Sequence, residues 1–141
     1  FVLPGPLLTD EELERLEQTL AGIHNISFLI FSGSLPPGVP PQYLNKLATL
    51  AKDRGIKFIA DTSGEPLKAA LQSGVYLLKP NLTELCALVG KEYLEPGAIK
   101  AAAQELVNAG QCQVLVVSMG ASGAMLVTAQ ETKIFTAPTV K

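Results

Sequence analysis

Lys79, Asn81 and Glu84 place a cation, an amide and a carboxylate within the stretch LLKPNLTEL, Leu77 to Leu85. A lysine beside the free N–H groups of a helix start attracts phosphate, and a carboxylate with an amide oxygen can order Mg²⁺ through its waters. The same spacing is also that of a capping box: Asn81 caps a helix and Glu84, three residues on, returns the hydrogen bond. On these residues alone both readings stand.

Three other short stretches carry groups of related chemistry. Ser34 lies in GSLPPG, Gly33 to Gly38; Asp61 opens a segment with Thr62 and Ser63; Ser118, Gly120, Ser122 and Gly123 belong to SMGASG. Each has a structural account of its own. GSLPPG could be a rigid turn, SMGASG a loop that needs glycine, and Asp61 a side-chain cap for the turn that follows. Together they offer a hydroxyl, backbone N–H groups and carboxylates, an inventory that suits a nucleotide's phosphates.

The elements that must position these groups are legible from periodicity. Thr9 caps a helix with Glu12 as its reciprocal partner, and Leu13, Leu16 and Leu20 recur at helical spacing until Gly22. Phe28 to Ser32 reads as an apolar strand. A helix follows over about Gln42 to Arg54, with Leu44, Leu47, Leu50 and Ala51 on one face and Gly55 as its stop. Lys57 to Asp61 is the next strand, Pro66 to Ser73 a short helix, and Val75 to Lys79 a strand that Pro80 cannot continue. The helix capped by Asn81 reaches about Val89. Pro96 opens another, which runs to about Ala109 with Ile99, Ala102, Ala103, Leu106 and Val107 inward. Val114 to Ser118 is apolar enough to be a central strand, Ala124 to Thr128 returns beside it, and Lys133 to Ala137 pairs as an edge. Phe1 to Leu3 reads as the tail of a strand. Strands alternating with helices predict a doubly wound, mostly parallel α/β sheet with an antiparallel edge hairpin at the C-terminus. In such a sheet ligands bind outside the carboxyl ends of the strands, so all four candidate stretches are expected on one rim.

The chain has 141 residues, 48% of them hydrophobic and 17% charged, which is the size and composition of about one globular domain. A net charge of −2 argues against non-specific nucleic-acid binding, and apolar runs such as FLIF are too short for a membrane span. Cys86 and Cys112, without a C-x-x-C, fit free thiols in a reducing cytoplasm. His24, the one histidine, leaves no His-based triad and no metal cluster, and it falls in a helix-to-strand connection. Lys46, Lys52, Arg54, Lys68, Lys91 and Lys100 read as solvated helix faces, and Cys86 as a small core residue. Because the chain starts at Phe1 and stops on Val140-Lys141, it is expected to be a piece of a longer protein.

FVLPGP, FSGSLPPG, IADTSGE, LLKPNLTEL and VVSMGASGA, in this order, resemble the ribokinase-like PfkB sugar kinases, and most of all their bacterial minor-type 6-phosphofructokinases. The resemblance implies ATP and Mg²⁺ as cofactors and a sugar phosphate as the substrate. It puts Ser34 at the sugar phosphate, and Lys79, Asn81, Ser118, Gly120, Ser122 and Gly123 at the nucleotide. It puts Glu84, Asn81 and Asp61 at the metal, through water. In the family a G-A-G-D segment supplies the general base, and here it would begin beyond Lys141, so no catalytic residue is expected within the chain. The amino-terminal half with its lid and the carboxyl-terminal helices over the adenine are absent as well. Residues 1–141 are therefore expected to form a single α/β domain that is the centre of a larger kinase domain. The piece alone should be inactive, and the parent a cytoplasmic homodimer that phosphorylates fructose 6-phosphate. A tagatose-6-phosphate kinase, a 1-phosphofructokinase and a non-catalytic nucleotide-binding module are the alternatives.

Overall fold

The computed structural model describes residues 5–136; the strand tail expected at Phe1 to Leu3 and the end of the last strand at Ala137 lie outside them. The elements run α1 (Asp10–Gly22), β1 (Phe28–Ser32), α2 (Tyr43–Asp53), β2 (Lys57–Asp61), α3 (Gly64–Gln72), β3 (Val75–Leu78), α4 (Leu82–Leu88), α5 (Pro96–Asn108), β4 (Cys112–Ser118), a 3-10 turn at Gly120–Ser122, β5 (Ala124–Thr128) and β6 (Thr132–Phe135). They build one six-stranded sheet in the order β1-β2-β3-β4-β5-β6. The first four strands are parallel, and β5 and β6 add on antiparallel. This is the mostly parallel α/β sheet with an antiparallel edge that the periodicity predicts.

The strand order never reverses along the parallel part. Right-handed crossovers that step steadily in one direction place all their helices on one face, and burial agrees. Phe58, Ala60, Leu78, Leu115, Val117, Met125 and Val127 are buried against Leu44 and Leu47 of α2, Leu67 and Leu71 of α3, Leu85 of α4 and Leu106 and Val107 of α5. On the opposite face Ile59, Leu77, Val116 and Leu126 stay half-buried, and Ile30 is 63% exposed. Winding of the second face is not contributed by the described residues.

Element ends differ from expectation where polar chemistry decides them. α3 starts at Gly64, two residues before Pro66, because a proline in the first turn gives up only an N–H that would have no partner there. β3 ends at Leu78, yet the Lys79 N–H still donates to the Ala60 carbonyl at 3.3 Å, so the ladder stops where Pro80 removes the donor. In GSLPPG the Val39 N–H donates to the Pro36 carbonyl at 3.2 Å across Pro37 and Gly38. Proline second and a positive φ of 86° at Gly38 are the pattern of a type II turn. A Cβ at Gly38 would also come within 2.9 Å of the Leu7 side chain.

One reading is corrected. Arg54 is not a solvated face: its guanidinium donates to the Leu20 and Ile23 carbonyls at the end of α1. The Ile23 carbonyl lies just past the last turn, the Leu20 carbonyl accepts from the backbone only a long 3.4 Å bond from the Ile23 N–H, and α1 carries no basic residue in its last turn to serve them. Lys46 and Lys68 are paired as well, with Glu17 and Glu65, each at 2.8 Å. α1 has no fully buried residue, and these ties to α2 orient it. Tyr43, buried at the start of α2, has its hydroxyl pushed up to about 12 by burial and by Glu17. Cys86 and Cys112 are buried free thiols, and burial pushes Cys112 up to about 12. Among the described residues no helix is long and apolar enough to cross a membrane.

Leu115 is fully buried, whereas Leu16 on α1 is 42% exposed. Leu115→Ala should therefore cost about 2–5 kcal/mol of unfolding free energy in urea, and Leu16→Ala about 1 kcal/mol or less.

Candidate functional site

The carboxyl ends of the four parallel strands are stitched side to side by hydrogen bonds that continue past the regular ladders. At the end of β1 the Gly33 N–H donates to the Asp61 carbonyl at 2.9 Å. Gly33 has φ +101°, a left-handed turn that an L side chain resists, and it carries the chain out of the strand at once. Between β2 and β3 lies the Lys79 to Ala60 bond. Between β3 and β4 the Ser118 N–H donates to the Pro80 carbonyl at 2.9 Å, and Asn81 pairs with Ser118 as an isolated parallel bridge. The buried Pro80 thus still serves the sheet as an acceptor.

These bonds put Ser34, Asp61, Lys79, Asn81, Glu84 and Ser118 along one rim. Asp61 and Lys79, which come from neighbouring strand ends, form an ion pair with Oδ1 3.1 Å from Nζ. Their side chains remain 41% and 44% exposed. An exposed pair of this kind is worth only about 0.2–1 kcal/mol. Asn81 and Glu84 make the full capping box of α4: the Glu84 N–H donates to Asn81 Oδ1 at 2.8 Å, and the Asn81 N–H donates to Glu84 Oε2 at 2.8 Å. The cap uses one oxygen of Glu84 and leaves Oε1 without a protein partner among the described residues. Capping and a part in binding are therefore compatible at this residue.

Beyond Ser118 the loop is closed by its own backbone. The Met119 N–H donates to the Gly123 carbonyl at 2.8 Å and the Gly123 N–H to the Gly120 carbonyl at 3.0 Å. Ser122 and Gly120 are exposed at its tip, as is Ser34 across the rim. The rim is an open shelf in these residues. A cleft of about 680 Å³ between α1 and α2 lies elsewhere and is lined by Glu17, Asn45, Lys46 and Arg54 among others.

No group of three or more His, Cys, Asp and Glu side chains forms a cage for a cation among the described residues. The oxygen donors on the rim are two carboxylates and an amide. That donor set suits a hard cation that keeps most of its waters and completes its shell with phosphate oxygens, which is the habit of Mg²⁺.

The Thr62 hydroxyl carries a further signal. The residue is 7% exposed and Oγ1 has no hydrogen-bond partner among the described residues. Thr62 shares the parity of Phe58 and Ala60, the buried face of β2, so period-two alternation extended one residue would have found it. Arg54 had no such signal, because its partners lie 31 and 34 residues away.

A model of the pfkB carbohydrate kinase family matches residues 2–141. The ATP-dependent 6-phosphofructokinase isozyme 2 of Escherichia coli (strain K12) is 43% identical over 142 residues, covering all of this chain and 46% of that protein. A 1-phosphofructokinase from Borreliella burgdorferi is 32% identical, over 87% of this chain and 39% of its own. The crystal structure of phosphofructokinase-2 from Escherichia coli in complex with fructose-6-phosphate superposes with a TM-score of 0.94 at 43% identity, over 100% of this chain and 47% of that one. The chain spans less than half the length of these relatives.

An orphaned buried hydroxyl costs about 1–3 kcal/mol. Thr62→Val, which keeps the shape and removes the orphan, should raise the stability of the unliganded protein by about 1 kcal/mol in urea unfolding. Unchanged or lower stability would show that Oγ1 is satisfied in solution.

Proposed function

This chain belongs to the pfkB family of carbohydrate kinases, and from that premise we propose that its parent transfers the γ-phosphoryl group of ATP to a hydroxyl of a ketohexose phosphate, carbon 1 of fructose 6-phosphate. The observation that carries the reading is the lateral joining of the four strand ends, which lines up a hydroxyl, a cation, two carboxylates and a glycine loop. Residues 1–141 are then the central part of a larger kinase domain, and on the family pattern the parent is a cytoplasmic homodimer.

Phosphoryl transfer needs little covalent chemistry from the protein. It depends on positioning and on spreading the charge of the transferring oxygens. Ser34, exposed on the loop after β1, helps bind the sugar phosphate substrate. Lys79 carries the positive charge toward the nucleotide's phosphates. Asn81, Glu84 and Asp61 would hold Mg²⁺ through its waters, and Ser118, Gly120, Ser122 and Gly123 would line the nucleotide. Mg²⁺, when bound, supplies neutralisation of the phosphoryl charge. The acceptor hydroxyl must lose a proton, and we assign no base for it within residues 1–141. A general base contributes about 10²–10⁴-fold, so this chain alone should show no measurable transfer.

The 32% identical relative named 1-phosphofructokinase favours a second reading, in which the acceptor is fructose 1-phosphate. Coupled assays of the purified parent with ATP and fructose 6-phosphate, tagatose 6-phosphate or fructose 1-phosphate separate the two by kcat/KM. The highest value is expected with fructose 6-phosphate. Failure to phosphorylate any of the three would leave a non-catalytic nucleotide-binding module as the better account.

Glu84→Gln keeps a capping box, because glutamine can return the same hydrogen bond. In the parent this variant should shift thermal unfolding by about 0.5 kcal/mol or less while raising the Mg²⁺ concentration for half-maximal rate several-fold. An unchanged Mg²⁺ dependence would reduce Glu84 to its capping role.

A further inference from the structure

We propose, on the strength of the nucleotide-site reading above, that the Asp61–Lys79 ion pair is an exchangeable contact that makes phosphate binding on the rim depend on a divalent cation. Asp61 Oδ1 stands 3.1 Å from Lys79 Nζ. The backbone beneath both residues is fixed, with the Asp61 carbonyl accepting from Gly33 at 2.9 Å and the Lys79 N–H donating to Ala60 at 3.3 Å. The side chains are 41% and 44% exposed. A rigid frame therefore presents a pair that is wet enough to change partners.

The electrostatics of the other rim residues point the same way. Glu84 accepts from the Asn81 N–H through Oε2 alone and makes no ion pair among the described residues, whereas Asp61 stands against Lys79, so Asp61 is the carboxylate that answers it. A polyphosphate that arrives without a cation meets a lysine whose charge is already answered and a carboxylate that repels it. Both effects oppose binding. When Asp61 turns its charge to the hydration shell of a divalent cation, both oppositions vanish together and Lys79 Nζ is free to meet a phosphate oxygen. No covalent bond changes in this exchange: two ion pairs replace one. Asp61 is thus a positioning residue for Lys79 as well as a partner for the cation.

The test is a calorimetric titration of the full-length parent with ATP, once in EDTA and once in excess Mg²⁺, for the wild type, Asp61→Asn, Lys79→Gln and the double variant. Asp61→Asn should tighten metal-free ATP by about 1.4- to 5-fold, the span of measured exposed pairs, and shrink the Mg²⁺ enhancement by at least that factor. The tightening should be smaller in the Lys79→Gln background. Unchanged metal-free affinity in Asp61→Asn overturns the exchange and leaves the nucleotide site standing, and so does equal weakening with and without Mg²⁺. A wild-type parent that binds no ATP in either buffer overturns the nucleotide reading and the exchange with it. Should Asp61→Asn fail to fold, the Lys79 ammonium resonance of the wild type decides the matter. It should move further with Mg²⁺-tripolyphosphate than with tripolyphosphate alone, and equal movement overturns the exchange.

Discussion

The lateral bonding of four parallel strands past the ends of their ladders is the constraint on which everything else depends. β1, β2 and β3 end within one residue of one another while β4 runs three residues further, to Ser118, and each strand remains bonded to its neighbour at the point where its own ladder gives out. Gly33 to Asp61, Lys79 to Ala60 and Ser118 to Pro80 do this in turn. Two of the three bonds run through residues that break the strand, a glycine with positive φ and a proline without an N–H. The chain leaves the sheet at these points, yet the backbone groups flanking each break still serve the neighbouring strand, which is why polar side chains from distant stretches arrive at one edge.

The rim combines rigid backbone with weakly committed side chains. Asn81 and Glu84 serve α4 as a capping box and keep an oxygen to spare. Lys79 and Asp61 hold each other across two strands but stay close to half exposed. Side chains that were buried and fully paired could not exchange partners without a large desolvation cost. The rest of the core is apolar and closed on the helix-bearing face, from Leu44 through Leu78 to Val127. The stability of the fold is therefore separate from the polar groups offered to a ligand.

The local decisions were legible in the sequence because local physics makes them. Thr9 with Glu12 and Asn81 with Glu84 cap helices through bonds that span three residues, and Pro80 ends β3 whatever surrounds it. The strands Phe28–Ser32 and Lys57–Asp61 follow from short runs of strand-forming residues. The right-handed crossover rule then makes the parallel sheet, with the carboxyl ends of its strands on one rim, nearly obligatory. Motif order in Ser34, Asp61, Lys79, Glu84 and Ser118 carried the family resemblance, and the family model spans the same residues.

Contacts between residues far apart in the chain had no signature. Arg54 looks like any surface arginine on a helix, and only the fold brings it to the carbonyls of Leu20 and Ile23 at the end of α1. Asp61 and Lys79 could each be assigned to the rim, but that they answer each other's charge depends on the register of β2 against β3. The sequence by itself determined the elements, their caps and the rim on which the polar residues gather, since these follow from periodicity and from bonds a few residues long. Only the tertiary structure decided which of those residues pair with each other and which buried hydroxyl goes without a partner, because pairing depends on strand register and packing across the whole chain.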